Sequence, residues 1–369
     1  MKRLVAATLV AIFVLGSIAT LVHLELPAPT GPYAVGRLER TWTDTTRAEE
    51  HTPAPADRRQ VGVIAWYPAV DGTGTPATYL SNQNDMIEAL AASGEVNALA
   101  AQGLRWVRGH ARAEAEINRS HSKFPVVLLS PGNATNVEFY SSIAEDLASH
   151  GYIVVGVNHP YQVAATLLAD GAIAFYQEDL SVPAKVIERS LDLRFVLDRL
   201  ERETSTGDLF DGRADLDSLG VMGHSNGGLT AVEFCRAEAR IDACLNIDGQ
   251  AGGGALGTGP NDQVPEQSFM FLTKEEDLHE ELAARFETGR QGGYRVVIPA
   301  ASHDDFADGS LFVPSLWLFD RTVDRVNETT RGFVNAFFDM TLKGSPQSVL
   351  GEVSAPTDVY VYVYPLVRT

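Results

Sequence analysis

The hexapeptide Gly223-His224-Ser225-Asn226-Gly227-Gly228 holds the residue types that acyl transfer needs. Apolar Leu219–Met222 precedes it and the helical pattern of Leu229–Phe234 follows, so a strand, a sharp turn and a helix are expected, with Ser225 at the turn. Such a turn holds the serine in a strained backbone conformation with its hydroxyl exposed at the sheet edge. Glycines two before and two after it avoid clashes with neighbouring backbone. A serine hydroxyl is a weak nucleophile at neutral pH, so a base must take its proton as it attacks. On this kind of turn an acid and then a histidine follow in the chain, and of the 9 histidines only His279 and His303 come after Ser225. His279 lies beside the stripe Leu278, Leu282 and Phe286 of a predicted helix, away from any strand end. His303 follows the predicted strand Tyr294–Pro299 by a short loop, from which an imidazole can reach over the sheet, and it is the expected base.

The acid that fixes the imidazole tautomer and stabilises the cation has two candidates, Asp248 and Asp277. Asp248 closes the apolar run Ala243–Ile247 and is followed by Gly249, a strand-end position. Asp277 comes after the predicted strand Phe269–Thr273, but Lys274, Glu275 and Glu276 beside it suggest a solvated helix start with capping carboxylates. The pattern favours Asp248. A tetrahedral intermediate also needs two backbone N–H donors, each worth on the order of 10²–10³ in rate. Asn226 supplies one by position. The other is expected from Pro131-Gly132-Asn133 after the strand Val126–Ser130, through the Asn133 N–H, since Pro131 has none. No cofactor or metal is expected: the spacing of Asp304, Asp305 and Asp308 does not match a calcium loop and reads as a solvated turn.

These groups need a scaffold that brings distant strand ends together. The chain has 369 residues, 45% of them hydrophobic, enough to bury a large core. With 29 basic and 48 acidic residues it carries a net charge of -19, which repels nucleic acid. Apolar runs of strand length recur at Val61–Tyr67, Val126–Ser130, Tyr152–Asn158, Leu219–Gly223, Ala243–Asp248, Phe269–Thr273 and Tyr294–Pro299, most followed by helical patterns. That alternation predicts an α/β fold, a mostly parallel sheet with helices on both faces. Phe139, Ile143 and Leu147 mark one helix face, Leu193, Val196, Leu197 and Leu200 another, and Arg331–Leu342 the last helix. Between Ala77 and Lys123 the strand pattern lapses, and Ile87, Leu90, Leu99 and Trp106 recur at roughly helical intervals. Residues 78–122 read as an insertion that either caps the site or decorates the fold. At the far end Val359, Val361 and Val363 alternate with tyrosines, as in an edge strand.

Lys2 and Arg3 precede an uncharged run from Leu4 to Val22, so residues 1–25 read as an export signal or an amino-terminal anchor, with cleavage after Ala19 favoured over retention. Both put residues 26–369, a single domain, outside the inner membrane. The compartment would then permit Cys235 and Cys244 to pair, with two buried thiols as the alternative.

The chain resembles the platelet-activating-factor acetylhydrolase family of α/β-hydrolases. The likeness runs from Gly31-Pro32-Tyr33-Ala34-Val35-Gly36 and Trp66-Tyr67-Pro68, through Phe124-Pro125-Val126-Val127 and Asp146-Leu147-Ala148-Ser149-His150-Gly151-Tyr152, to the Ser225 turn, Asp248 and the loop His303-Asp304-Asp305-Phe306-Ala307-Asp308. In that family the carboxylate follows the strand after the serine's helix, which matches Asp248, and the first oxyanion donor matches Asn133. One departure is Ser130-Pro131-Gly132, where the family usually shows Ser-His-Gly. The resemblance implies metal-independent hydrolysis of small-molecule or lipid esters, such as phospholipids with short acyl chains, by a serine carboxylester hydrolase. Polyester or dienelactone hydrolases, whose cores are shorter, and a non-catalytic binding protein of the same fold are the alternatives.

Overall fold

The computed structural model describes residues 24–207, 209–249, 266–274, 293–312, 322–350 and 358–364. The strands are β1 (Ala34–Ala48), β2 (Arg58–Ala69), β3 (Thr75–Pro76), β4 (Arg112–Ala113), β5 (Phe124–Ser130), β6 (Ile153–Asn158), β7 (Ala165–Leu167), β8 (Ile173–Phe175), β9 (Ala214–His224), β10 (Ala243–Ile247), β11 (Ser268–Thr273), β12 (Gly293–Val297) and β13 (Tyr360–Tyr364). Strands β7 and β8 form a separate pair, and the other eleven form one sheet in the order β13-β12-β11-β10-β9-β5-β6-β2-β1-β4-β3. From β12 to β6 every neighbouring pair is parallel, whereas β2 and β13 join antiparallel on either side.

Alternation along these strands makes two cores. Val61, Val63, Ala65 and Tyr67 of β2 face one side, where Leu193, Val196, Leu197 and Leu200 of the helix Val182–Thr206 pack with the helix Asn226–Ala237. Ile64 and Trp66 face the other, against the helices Ser141–Ser149 and Thr322–Leu342. A parallel sheet covered on both faces needs near-continuous apolar strands, and β5, β6 and β10 supply them. The helix Thr322–Leu342 starts well before Arg331, because buried Asn327 and Thr330 interrupt its apolar stripe without leaving the inner face.

Strand β1 has no counterpart among the predicted strands. Its polar alternation, with Trp42 buried while Thr41 and Thr43 are exposed, belongs to a strand near the sheet edge. Before it, Gly31 N–H donates to Ser149 Oγ (2.9 Å), Tyr33 N–H to Ser149 O (3.1 Å) and Thr30 N–H to Asp146 Oδ1 (2.7 Å), so the Gly31–Gly36 and Asp146–Tyr152 segments are packed against each other.

The segment between Ala77 and Lys123 holds the helices Gln83–Ser93 and Ala98–Gly103 and returns to the sheet through β4. Met86, Ile87, Leu90 and Leu104 form a third core with Ala164 and Ala165, which follow the carboxyl end of β6, and with Leu311. The expected stripe holds only in part: Leu99 is 83% and Trp106 59% exposed. Cys235, on a helix, and Cys244, on β10, are joined in a disulfide with Cα atoms 6.4 Å apart. The expectation for Leu4–Val22 falls outside the described residues.

Candidate active site

Ser225 follows β9 at φ 56°, ψ -124°, a conformation that non-glycine residues rarely adopt. Its N–H donates to Ile247 O of the neighbouring strand (3.0 Å), which fixes the turn. A Cβ on Gly223 would collide with the Gly227 carbonyl, and one on Gly227 with the carbonyls of Ser130 and Pro131. Both glycines are therefore demanded by close approach, and through Gly227 the end of β5 lies directly against the helix that begins at Asn226.

Asp248 follows β10, is fully buried, and has φ 45°. Its N–H donates to Leu272 O of β11 (2.7 Å), while its Oδ1 accepts from Thr273 Oγ1 (2.9 Å) and the Lys274 N–H (3.4 Å). The other oxygen, Oδ2, is 2.6 Å from His303 Nδ1, and His303 Nε2 is 3.0 Å from Ser225 Oγ. The carboxylate can only accept, so Nδ1 carries the proton and Nε2 is free to accept the serine's. The His303 side chain is 42% exposed, in contrast to the fully buried Asp248. Such a chain of contacts can move a proton from an attacking hydroxyl to an imidazole and on to a leaving group. The residues Asp277 and His279 lie outside the described residues.

The loop bearing His303 is held in two ways. Ser302 and Asp305 form a reciprocal capping box, with Ser302 N–H donating to Asp305 Oδ2 (2.7 Å). Asp308 is fully buried and accepts from Ser142 N–H (3.3 Å), Ser142 Oγ and Tyr79 OH (3.2 Å). Burial outweighs these donors and pushes the Asp308 carboxyl up to about 7. The expectation that Asp304, Asp305 and Asp308 form a solvated turn therefore fails for the last two, whose carboxylates are the loop's anchors, while Asp304 stays exposed.

Asn133 and Asn226 are both partly exposed, and among the described residues neither backbone N–H donates to a protein group. Ala134 beside Asn133 sits at φ 53° with its N–H on Gln162 O (2.9 Å), so positive-φ residues mark the segments of Asn133, Ser225 and Asp248 but not that of His303. Gly132 N–H donates to Tyr140 Oη (3.0 Å), whose hydroxyl in turn meets His224 Nδ1 (2.8 Å). Burial, reinforced by the adjacent His303, drives His224 down to about 3 and keeps it neutral, its ring centroid 4.6 Å from that of His303.

Sequence reasoning places His159 near a strand end at the pocket border without a role, and it did not find Lys185, Arg189, Tyr140 or Gln162; together these residues hold the loop Ser130–Asn133. His159 shares two contacts, Nε2 to Ser130 Oγ (3.0 Å) and Nδ1 to Asp192 Oδ2 (2.9 Å), all three residues being fully buried.

The sheet and the strained serine turn define a carboxylic ester hydrolase with the α/β-hydrolase fold. A ferulic acid esterase from Streptomyces cinnamoneus has the same architecture, with a TM-score of 0.72 and 28% identity over 91% of this chain and 98% of that one. The family model described as platelet-activating factor acetylhydrolase, isoform II, matches residues 18–172, and one described as chlorophyllase matches residues 117–255. A probable 1-alkyl-2-acetylglycerophosphocholine esterase of Arthroderma benhamiae is 24% identical, covering 94% of this chain and 96% of that protein. A platelet-activating factor acetylhydrolase of Cavia porcellus is 21% identical over 91% of this chain and 85% of its own. Within that class the chain is similar to the platelet-activating-factor acetylhydrolases, by the family model over residues 18–172 and by these relatives along most of its length.

Proposed function

We propose that the protein hydrolyses short-chain or phospholipid-type carboxylic esters through an acyl-enzyme on Ser225. The observation that carries the reading is the pair of contacts from His303, 3.0 Å to Ser225 Oγ and 2.6 Å to Asp248 Oδ2. Ser225 Oγ attacks the ester carbonyl as its proton passes to His303 Nε2, and Asp248 stabilises the imidazolium. The carbonyl oxygen, now anionic, takes hydrogen bonds from the N–H groups of Asn133 and Asn226. As the tetrahedral species collapses, the imidazolium gives its proton to the departing alkoxide. Water, deprotonated by the same imidazole, then releases the acid and restores Ser225. The relatives' names, with their acetylglycerophosphocholine and platelet-activating-factor esters, favour a short acyl group on a phospholipid-like alcohol.

The protein acts outside the inner membrane. The apolar run Leu4–Val22 supports export, as does the Cys235–Cys244 disulfide, which suits an oxidising compartment. The folded body has begun by Leu24, whose carbonyl accepts from Arg108 N–H (2.7 Å), so cleavage after Ala19 would spare it. Amino-terminal sequencing of the mature protein should then start at Thr20, and a retained Met1 would show an anchor.

A fluorophosphonate should label Ser225 stoichiometrically, and nitrophenyl esters graded in acyl length should be turned over fastest when short. Ser225→Ala should abolish both. Absence of label on folded protein, or undiminished turnover by the alanine variant, would overturn the acyl-enzyme, and a preference for long acyl chains would overturn the substrate class.

A further inference from the structure

Lys185, Arg189 and Asp192 are spaced four and three apart on the helix Val182–Thr206, so they share one face. They are 4%, 0% and 0% exposed, and each is directed at a different part of the loop Ser130–Asn133. Asp192 reaches Ser130 through His159. Arg189 Nη1 donates to Pro131 O (2.6 Å) and Nη2 to Gly132 O (3.3 Å), while Nε and Nη2 bind Gln162 Oε1 (2.7 Å) and Gln162 O (3.1 Å). Lys185 Nζ donates to Asn133 Oδ1 (3.3 Å) and Tyr176 Oη (2.9 Å).

The guanidinium is the informative member. Burying a charge is costly unless an opposite charge pairs with it, yet every hydrogen bond from Arg189 goes to a neutral oxygen. Burial lowers its pKa to about 10, so it remains a cation at neutral pH. A neutral donor would hold a loop at less cost. The Gly132 carbonyl belongs to the same peptide unit as the Asn133 N–H. A cation on the oxygen of an amide draws density from its nitrogen and strengthens the N–H as a donor.

We infer that Arg189 is a positioning residue for the tetrahedral intermediate, orienting and polarising the Gly132–Asn133 peptide so that the Asn133 N–H binds the oxyanion more strongly than the ground-state carbonyl. The inference rests on the acyl-enzyme reading. It concerns a charge that never touches substrate and acts only as negative charge develops, so it belongs in kcat and not in KM.

The test compares the parent with Arg189→Met and Arg189→Lys, measuring kcat, KM and the affinity of a trifluoromethyl ketone, which forms a tetrahedral oxyanion on the serine. Removing a direct oxyanion donor costs roughly 10²–10³-fold, and a charge acting through one peptide should account for roughly 10–100-fold. Arg189→Met should lower kcat by that factor, leave KM within about twofold and weaken the ketone in step, with Arg189→Lys recovering part of both. Normal kcat in a folded methionine variant, or a fall in kcat without a parallel loss of ketone affinity, would overturn the inference. If Arg189→Met does not fold, Gln162→Leu, which frees one side of the guanidinium, decides: a parallel loss of roughly 3–10-fold supports it and none refutes it. Fluorophosphonate titration counts competent sites in every variant. A parent that takes no label at Ser225 removes the acyl-enzyme reading itself, whereas normal labelling with unchanged turnover removes only the role of Arg189.

Discussion

Replacing Asp248 by asparagine changes one atom and should nearly extinguish turnover. The side chain is fully buried, and its Oδ1 accepts from Thr273 Oγ1 (2.9 Å) and Lys274 N–H (3.4 Å). An amide placed there must keep its oxygen toward those two donors, because turning the NH2 to them would set donors against donors. The NH2 then faces His303 Nδ1, where the carboxylate stands 2.6 Å away in the parent. Nδ1 becomes the acceptor, the ring proton moves to Nε2, and that nitrogen now points a hydrogen at Ser225 Oγ instead of a lone pair. The serine loses its base while every heavy atom stays in place. A wrong-tautomer triad loses roughly 10⁴ in kcat, or about 5.4 kcal/mol of transition-state stabilisation. Steady-state hydrolysis of a short nitrophenyl ester at pH 7 reads the effect, with Asp277→Asn as the companion because Asp277 is the competing acid by sequence. The expected outcome is a collapse of kcat for Asp248→Asn, near-parent KM, and parent-like kinetics for Asp277→Asn. A variant at position 248 that keeps a tenth of the parent rate, or a collapse at 277 instead, would refute the tautomer argument.

Acid should destabilise the fold through two buried imidazoles. His159 is lowered to about 4 and His224 to about 3, burial being the largest cause for both, so their contribution is complete above the unfolded value near 6.5 and is lost as pH falls. His159 alone should cost on the order of 2–3 kcal/mol at pH 4.5, measurable as the difference between urea melts at pH 7 and 4.5. Removing the disulfide by Cys235→Ala with Cys244→Ala, whose sequence separation is 9, should cost about 2.6 kcal/mol, read from the denaturation midpoint. Gly227→Ala should cost about 1–3 kcal/mol and most of the activity, because the new methyl meets the Ser130 and Pro131 carbonyls. Gly309→Ala, where no atom lies within 4 Å, should do neither.

The sequence made the centre of the sheet legible because β5, β6, β10 and the second half of β9, from Leu219, are buried on both faces and so carry mostly apolar runs. Strand β1 escaped for the opposite reason: its alternation includes arginine, glutamate and threonine, which a half-solvated strand tolerates. Among the site residues, Ser225 was readable because a turn that cannot hold a Cβ at 223 or 227 leaves glycines in the sequence. The contacts of His303 and Asp248 depend on strand order, which no local pattern encodes. The supporting layer leaves a fainter trace, because charged side chains usually face solvent. Position 189 is four before Leu193, and 185 four before that, so Lys185 and Arg189 continue the buried stripe that ends at Leu200. Charged residues falling on an apolar stripe were the available signal. Asp308 is equally silent in the sequence, since nothing in its flanking residues says that a tyrosine 229 positions away will meet it.

Three side chains addressing one loop from a single helix face turn helical phase into a functional constraint. Each residue advances the helix by about 100°, so deleting one position between Lys185 and Arg189 would swing the ammonium a quarter-turn or more from the side its neighbours share. Point changes on the outer surface of that rod, such as at exposed Ile187 and Leu191, would leave the alignment intact. Variation in this part of the chain should therefore arise by exchange of letters and almost never by a change in their number.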